Sequence, residues 1–283
     1  MIEQLTGTRY VVPLREGGSL PAIVETDGGG NFVVKFRGAG QGMKALVAEA
    51  LAAGIGTAVG LPIPRSAIIE LGSGFGESEP DPEIQDILRG STGKNFGLAY
   101  LPGALAFDPA TDMAVDPELA AATVWFDAFI TNVDRTSRNT NLLLWHDQLW
   151  LIDHGASLYF HHRWEGWRDR IQTRFAPIKD HVLLPAAGDL LATDARLRPL
   201  LTEEIINAIV ADLPEEWLGN EPGFADVAAH RAAYVYYLLA RLNGPREWLQ
   251  EAIDAQRRGP ERLAPRLTHR PPQPAPRPPR RVV

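Results

Sequence analysis

Residues 132–155 read NVDRTSRNTNLLLWHDQLWLIDHG, and this stretch decides how the rest of the chain is interpreted. Two apolar runs, Leu142-Leu143-Leu144-Trp145 and Leu149-Trp150-Leu151-Ile152, flank the polar group His146-Asp147-Gln148. Four-residue apolar runs around a polar turn predict a buried β-hairpin. A hairpin returns the chain to its start, so Asn139, just before it, and Asp153, just after it, come within reach of one metal ion. Asp134 falls on the loop leading in, where it can meet an incoming hydroxyl. Asp-x4-Asn and Asp-x-Gly are each common by chance, and the second alone reads as a turn after a strand. Together, around a hairpin of this size, they point to Mg2+-dependent phosphoryl transfer.

Working towards the N-terminus, residues 9–14 (RYVVPL), 21–26 (PAIVET) and 31–36 (NFVVKF) read as three strands joined by glycine-rich turns. Short glycine turns between strands predict an antiparallel meander. Gly17 and Gly18 in the first turn are candidates to cover phosphates with backbone N–H groups. An ordinary hairpin explains them equally well. Lys35, inside VVKF, suits a solvated strand face or, alternatively, the α/β-phosphates of ATP. The second role needs a carboxylate to hold the ammonium. Residues 41–59 supply a candidate, because small or apolar side chains recur there as a helical stripe. Glu49 sits at the edge of that stripe, between buried and exposed positions, where a solvated helix face is the simpler reading. Gly54, Gly56 and Gly60 weaken the last turns, and Leu61-Pro62-Ile63-Pro64 ends the helix.

A fourth strand is predicted over 66–71 and a short helical patch over 83–88. Residues 95–103 (NFGLAYLPG) read as an apolar strand running into Pro-Gly, a connection between two lobes. Extended backbone there, at Tyr100 and Leu101, offers N–H and C=O groups to an adenine ring. A helix over 117–131, with Pro117 at its first position, delivers the chain to Asn132. Beyond Gly155 the pattern is mainly helical, with helices expected over 202–213, 224–242 and 245–257. Thr202 is the cap of the first of these. Tyr234, Tyr236 and Tyr237 are expected in the core. His154, His161, His162 and His181 lack metal-ligand spacing, so they are expected at the surface or behind the site.

Bulk properties narrow the classes. The chain has 283 residues, 45% hydrophobic and 22% charged, the balance of a soluble globular protein with room for two lobes. It has no Cys, which excludes disulfides and thiolate metal sites and fits a reducing, cytoplasmic setting. MIEQLTGTRY lacks the apolar core of a signal peptide, and no apolar run approaches the roughly 20 residues of a membrane helix. Net charge is −7, yet the segment 259–283 carries six Arg against Glu261, so the remainder is −12. An acidic body argues against nucleic-acid binding by the folded part. The segment 259–283 also holds eight of the 23 Pro, so it cannot form a core and is expected to be a disordered Pro/Arg-rich tail.

Taken in order, a glycine turn, Lys35 in the third strand, Glu49 on the next helix, Leu101-Pro102-Gly103, Asp134-x4-Asn139 and Asp153-x-Gly155 resemble the order of the kinase fold. The chain most resembles the HipA-like kinases, a bacterial branch of the protein-kinase-like superfamily that is similar also to phosphatidylinositol kinases. Asn132-Val133-Asp134-Arg135 with Asn139 resembles the catalytic loop of that family, and Leu151 to Gly155 its magnesium-binding segment. Asp180-His181-Val182-Leu183-Leu184-Pro185 is similar to another recurring stretch, to which no chemistry attaches. The resemblance implies an α+β, two-lobed protein-kinase-like fold. An N-lobe over 1–101 would hold an antiparallel sheet plus one helix, and a mainly helical C-lobe would span 102–258. It implies ATP and Mg2+ as cofactors. Lys35 would bind the nucleotide phosphates with Glu49 holding it, Gly17 and Gly18 would cover them, Asp134 would orient or deprotonate the acceptor, and Asn139 and Asp153 would ligate Mg2+.

Two departures limit what carries over. The His or Tyr that precedes the catalytic Asp of ordinary protein kinases is absent, and no Ala-Pro-Glu follows Gly155. Compared with longer HipA toxins, no N-terminal subdomain precedes the first strand, so neither an antitoxin partner nor toxicity is implied. The expected reaction is transfer of the γ-phosphate to a hydroxyl, on Ser/Thr of a protein. A small-molecule or lipid-headgroup kinase of the same fold, and a nucleotide-binding pseudokinase scaffold, are the alternatives.

Overall fold

The computed structural model describes residues 2–14, 20–77, 79–111, 113–219 and 221–259. Gly17 and Gly18 lie outside the described residues, as does the segment from 260 onward. The fold is mixed α+β. Strands β1 (Glu3–Pro13), β2 (Ala22–Thr26) and β3 (Asn31–Lys35) precede helix α1 (Gly42–Ala58). Strand β4 (Ser66–Leu71), helix α2 (Pro82–Arg89) and strand β5 (Gly93–Ala99) follow. These five strands do not form the open antiparallel sheet expected from the sequence. They close into a barrel in the order β1-β2-β3-β5-β4, and the closing pair, β1 with β4, is parallel. Two helices accompany the barrel rather than one. Strand β1 also begins at Glu3, six residues before the expected start. Its side chains are mostly exposed, so it lacks the buried alternation that marks a strand.

The barrel interior is filled by Val24, Phe32, Val34, Ala67 and Ile69, all fully buried. Side chains alternate along a strand. With Phe32 and Val34 pointing in, Val33 and Lys35 face out of the barrel. Helix α1 lies in the larger core, shared with the helical remainder of the chain. Gly54 and Gly56 do not break it. A Cβ at Gly54 would sit 2.8 Å from Ile209, and one at Gly56 2.2 Å from Ile63, so both glycines permit close packing.

The second half begins with β6 (Leu105–Ala106) and α3 (Pro117–Ile130), followed by β7 (Leu142–Trp145) and β8 (Gln148–Leu151). Asp116 caps α3 by accepting from the backbone N–H groups of Glu118 and Leu119, and Thr131 ends it in the left-handed conformation. The hairpin β7–β8 pairs Leu142 with Leu151 and Trp145 with Gln148. Its turn is His146-Asp147, with φ of 49° and 58° at the two residues. Positive φ at both central positions is the type I′ arrangement that matches strand twist. Gln148 therefore belongs to β8 rather than to the turn, and Ile152 lies beyond the strand.

Beyond Gly155 the chain first runs through short 3₁₀ turns between 159 and 186 rather than the mainly helical structure expected there. Helices α4 (Leu190–Leu197), α5 (Glu203–Ala211), α6 (Glu215–Leu218), α7 (Val227–Asn243) and α8 (Glu247–Arg258) complete the fold. Thr202 Oγ1 accepts from the Ile205 N–H at 3.3 Å and caps α5. Trp125, Phe129 and Trp248 pack together at the centre, with ring centroids 5.5–5.6 Å apart. Each such ring contributes on the order of 1.5–3 kcal/mol by burial. Tyr234 and Tyr237 join the core, whereas Tyr236 is 55% exposed. The barrel is tied to the helices through α6, where Trp217 Nε1 donates to the Lys94 carbonyl at 2.9 Å and Arg37 pairs with Glu216 at 3.1 Å.

Candidate active site

Lys35 ends β3 on the outer face of the barrel, and there it meets two carboxylates from different elements. Its ammonium donates to Glu49 Oε1 of α1 and, at 2.5 Å, to Asp153 Oδ1 beyond β8. The two carboxylates are 14 and 118 positions away from Lys35 in sequence, so only the tertiary fold assembles the three. Glu49 is not at the boundary between buried and exposed positions, as its place in the stripe suggested. It is fully buried, because α1 is covered on both sides by the barrel and the helices. Burial works against the charge on Lys35, but Glu49 and Asp153 outweigh it and hold the pKa above its ordinary value. Burial likewise works to raise the Glu49 carboxyl, and Lys35 overrides it, leaving Glu49 far below the usual carboxylate range.

Asp153 has φ of +53°, an uncommon conformation for a residue with a side chain. Strain of this kind persists where surrounding contacts fix it. Here the Ile152 N–H donates to the Asn141 carbonyl at 3.1 Å, locking the residue before it. Two residues on, a Cβ at Gly155 would lie 3.2 Å from Glu49 Oε1, so glycine lets the segment approach α1 closely. His154 between them is fully buried, its ring edge-on to Phe126 at 5.7 Å.

Asp134 is held on the loop between α3 and β7. Its backbone N–H donates to Asn132 Oδ1 at 3.0 Å, and its Oδ2 accepts from Asn139 Nδ2 at 2.8 Å and Asn141 Nδ2 at 3.4 Å. Asp134 Oδ1 and Asn139 Oδ1 have no hydrogen-bond partner among the described residues. The structure thus joins Lys35, Glu49 and Asp153 in one contact set and Asp134, Asn139 and Asn141 in another. Asn139 touches Asp134 rather than Asp153. The two sets meet where Asn141 bonds to Ile152.

Behind the loop lies a group of residues that the sequence did not reveal. Asp127, on the last turn of α3, is completely buried. Its Oδ2 accepts from Arg135 Nε at 2.6 Å and His181 Nε2 at 2.8 Å, and its Oδ1 accepts from Asn132 Nδ2 at 3.0 Å. Burial would raise this carboxyl, but Arg135 and His181 hold it far below the usual range. Burial keeps the His181 pKa low, so its ring is neutral. Its Nδ1 accepts from the Leu183 N–H at 3.1 Å, which places the proton on Nε2, facing Asp127. Arg135 also donates to the carbonyls of Asn141 and Ile152, the residues flanking the hairpin. One guanidinium therefore ties α3, the Asp134 loop and the Asp153 segment together. The lone acid in VWFDAFI was the available signal for Asp127, and the stretch 180–185 held its partner.

Of the remaining candidates, Tyr100 and Leu101 follow β5, and the Tyr100 N–H donates to the Asn31 carbonyl at 2.8 Å. They sit at the opposite end of β3 from Lys35. Among the histidines, His154, His161 and His181 are buried and His162 is exposed. Among the described residues no group of three or more His, Cys, Asp or Glu is arranged to hold a metal. No described helix is long and apolar enough to cross a membrane.

Comparison with known proteins gives this geometry a family. A Helicobacter pylori proinflammatory kinase, CtkA, has a crystal structure that superposes with a TM-score of 0.56 at 12% identity, covering 91% of this chain and 99% of that one. At that identity the likeness is one of fold. No curated protein matches the chain by sequence. The sequence profile of the HipA-like kinases matches residues 9–251, most of the chain. The chain belongs to the HipA-like kinase family.

Proposed function

We propose that this protein is an ATP- and Mg2+-dependent kinase that moves the γ-phosphate to a Ser or Thr hydroxyl of a protein. The observation that carries the reading is Lys35, an ammonium from the barrel clasped between the buried carboxylate of Glu49 in the same half and the half-exposed carboxylate of Asp153 in the other. Phosphoryl transfer needs positioning and charge neutralisation more than covalent help from the protein. In this reading the part up to residue 101 covers the nucleotide, with Gly17 and Gly18 over its phosphates, and residues 102–258 carry the reactive groups. Lys35 grips the α/β-phosphates while Glu49 fixes its direction. Tyr100 and Leu101 offer backbone to the adenine. Four residues of β3 separate Asn31, bonded to Tyr100, from Lys35, roughly 13 Å along the strand. That span suits the distance from the base to the phosphates of one nucleotide.

The donor set fits Mg2+. Asp153 presents a carboxylate that is 41% exposed, and Asn139 Oδ1 has no hydrogen-bond partner among the described residues. Mg2+ characteristically takes one or two protein oxygens and completes its shell with phosphates and water, so an all-protein cage is not required. When bound there, the ion would neutralise charge on the phosphates. Asp134 keeps Oδ1 open to accept the acceptor's proton while Asn139 and Asn141 hold Oδ2. Incubation with γ-labelled ATP and Mg2+, alone and with cell lysate, tests the reading. Label on protein that disappears in the D134N variant is expected. Label confined to small molecules would reassign the acceptor, and nucleotide binding with no transfer would reduce the protein to a scaffold.

A further inference from the structure

A second concavity lies beside the Asp134 loop. A cleft of about 530 Å3 opens between Val133, which directly precedes Asp134, and the segment from Tyr159 to Pro177. Phe160 and Tyr237 stack as its floor at 3.5 Å between ring centroids, while Val133 and Tyr159 are exposed at its mouth. Four arginines line this cleft and no carboxylate does. Two of them are already neutralised: Arg163 pairs with Glu165 at 2.9 Å, and Arg174 with Glu251 at 3.0 Å and Asp254 at 2.5 Å. The other two are not. Arg170 donates to the backbone carbonyls of Glu165 and Arg163. Arg241, wholly buried beneath, donates to the carbonyls of Ala128, Phe129, Ile171 and Thr173. Among the described residues neither has a carboxylate partner.

The position of this charge matters because the rest of the body is acidic, −12 outside the segment 259–283. An anionic segment is repelled over most of that surface and attracted at a cationic cleft, which guides its approach. We propose that the cleft seats the phosphoryl acceptor as a protein segment whose Ser or Thr is flanked by acidic residues, with a carboxylate meeting Arg170 above Arg241. The proposal rests on transfer at Asp134 and adds the acceptor's character. A chain segment is favoured over a small phosphorylated molecule by the exposed Val133 and Tyr159 at the mouth, which suit an apolar side chain beside the acidic one. A polar metabolite would leave those two side chains uncovered.

The test uses the full chain and three fluorescent peptides with one Ser each and flanks that are acidic, neutral amide or basic. Binding is read by anisotropy and transfer with γ-labelled ATP and Mg2+. The acidic peptide is expected to show a KM about tenfold below the neutral one, a preference that fades as salt is raised. Arg170→Glu is expected to raise the KM for the acidic peptide about tenfold and to shift preference to the basic one, with the nucleotide Kd and melting temperature retained. The comparison of peptides on the unaltered chain stands even where that variant folds poorly. Equal KM values for all three peptides, or label found solely in a small-molecule fraction, overturn the proposal. The two readings fail differently. Transfer abolished by D134N yet indifferent to flank charge sinks this inference alone. Absence of any Asp134-dependent transfer sinks the kinase reading with it.

Discussion

Glu49 and Asp127 are both fully buried carboxylates bound to a cation, and they are built in opposite ways. Asp127 receives three hydrogen bonds, from Arg135, His181 and Asn132, and uses both oxygens. In that group Arg135 Nη2 alone is left without a partner. Glu49 receives one, from Lys35, and its Oε2 stands 3.8 Å from His154 Nδ1 with no hydrogen bond. Its cation is moreover shared with Asp153, which borders solvent. A buried polar atom left unmatched costs stability, so each one calls for a physical reason. The contrast separates two tasks. The group behind the Asp134 loop is closed and holds shape, whereas the group around Lys35 borders solvent at Asp153 and, in the proposed reading, leaves the third ammonium N–H of Lys35 for phosphate.

That contrast can be broken by experiment. The largest effect is expected at the proposed reacting groups: Asp134→Asn and Asp153→Ala should each lower kcat by about 10²–10⁴-fold, with melting temperatures within a few degrees of the parent. Unfolding of either variant at ordinary temperature would remove the distinction between reactive and structural carboxylates. Asp127→Ala should do the reverse and chiefly destabilise, by about 3–5 kcal/mol in urea unfolding, because it strands Arg135 as an unpaired buried charge. Glu49→Gln should fall between them, costing about ten- to a hundredfold in turnover with a smaller loss of stability, since Lys35 retains Asp153.

Acid should sharpen the same comparison. Asp127 has a depressed folded pKa, so its stabilising contribution is complete above the ordinary carboxylate range and is lost as pH falls through and below it. His181 is also depressed by burial, so the unfolded chain takes up its proton first, and stability begins to fall below about 6.5. Urea midpoints measured from pH 7 to pH 3 should therefore decline in the parent. The decline should be shallower in Asp127→Asn. The smallest effect is expected for Gly155→Ala, whose Cβ would press on Glu49 Oε1 at 3.2 Å, slowing turnover a few-fold without a clear change in melting.

How much of this was legible beforehand follows from range and burial. The hairpin after Asn141 was readable because its signal is local, two apolar runs and a polar turn. Lys35 and Glu49 were visible as candidates, but the depth of Glu49 was not. A stripe on one helix does not disclose that α1 is covered on its other side too. Asp127 gave almost no signal, because a single acid among aromatics acquires meaning only from its partners, of which His181 lies 54 residues away. The first part of β1, residues 3–8, was missed for the opposite reason, since exposed side chains carry no periodic mark. The parallel pairing of Glu3–Thr6 with Ala67–Glu70 is equally silent in sequence, as it joins segments more than sixty residues apart.

That pairing has a consequence for how other chains can approach. An open sheet ends in rows of unpaired amides, a template onto which a foreign strand can align. Closure consumes those rows where Glu3–Thr6 meets Ala67–Glu70, so a partner seeking that part of the barrel finds side chains and loops instead of a docking ladder. Recognition by strand donation is disfavoured there, and contact would fall to helices, turns and the cationic recess beside Val133.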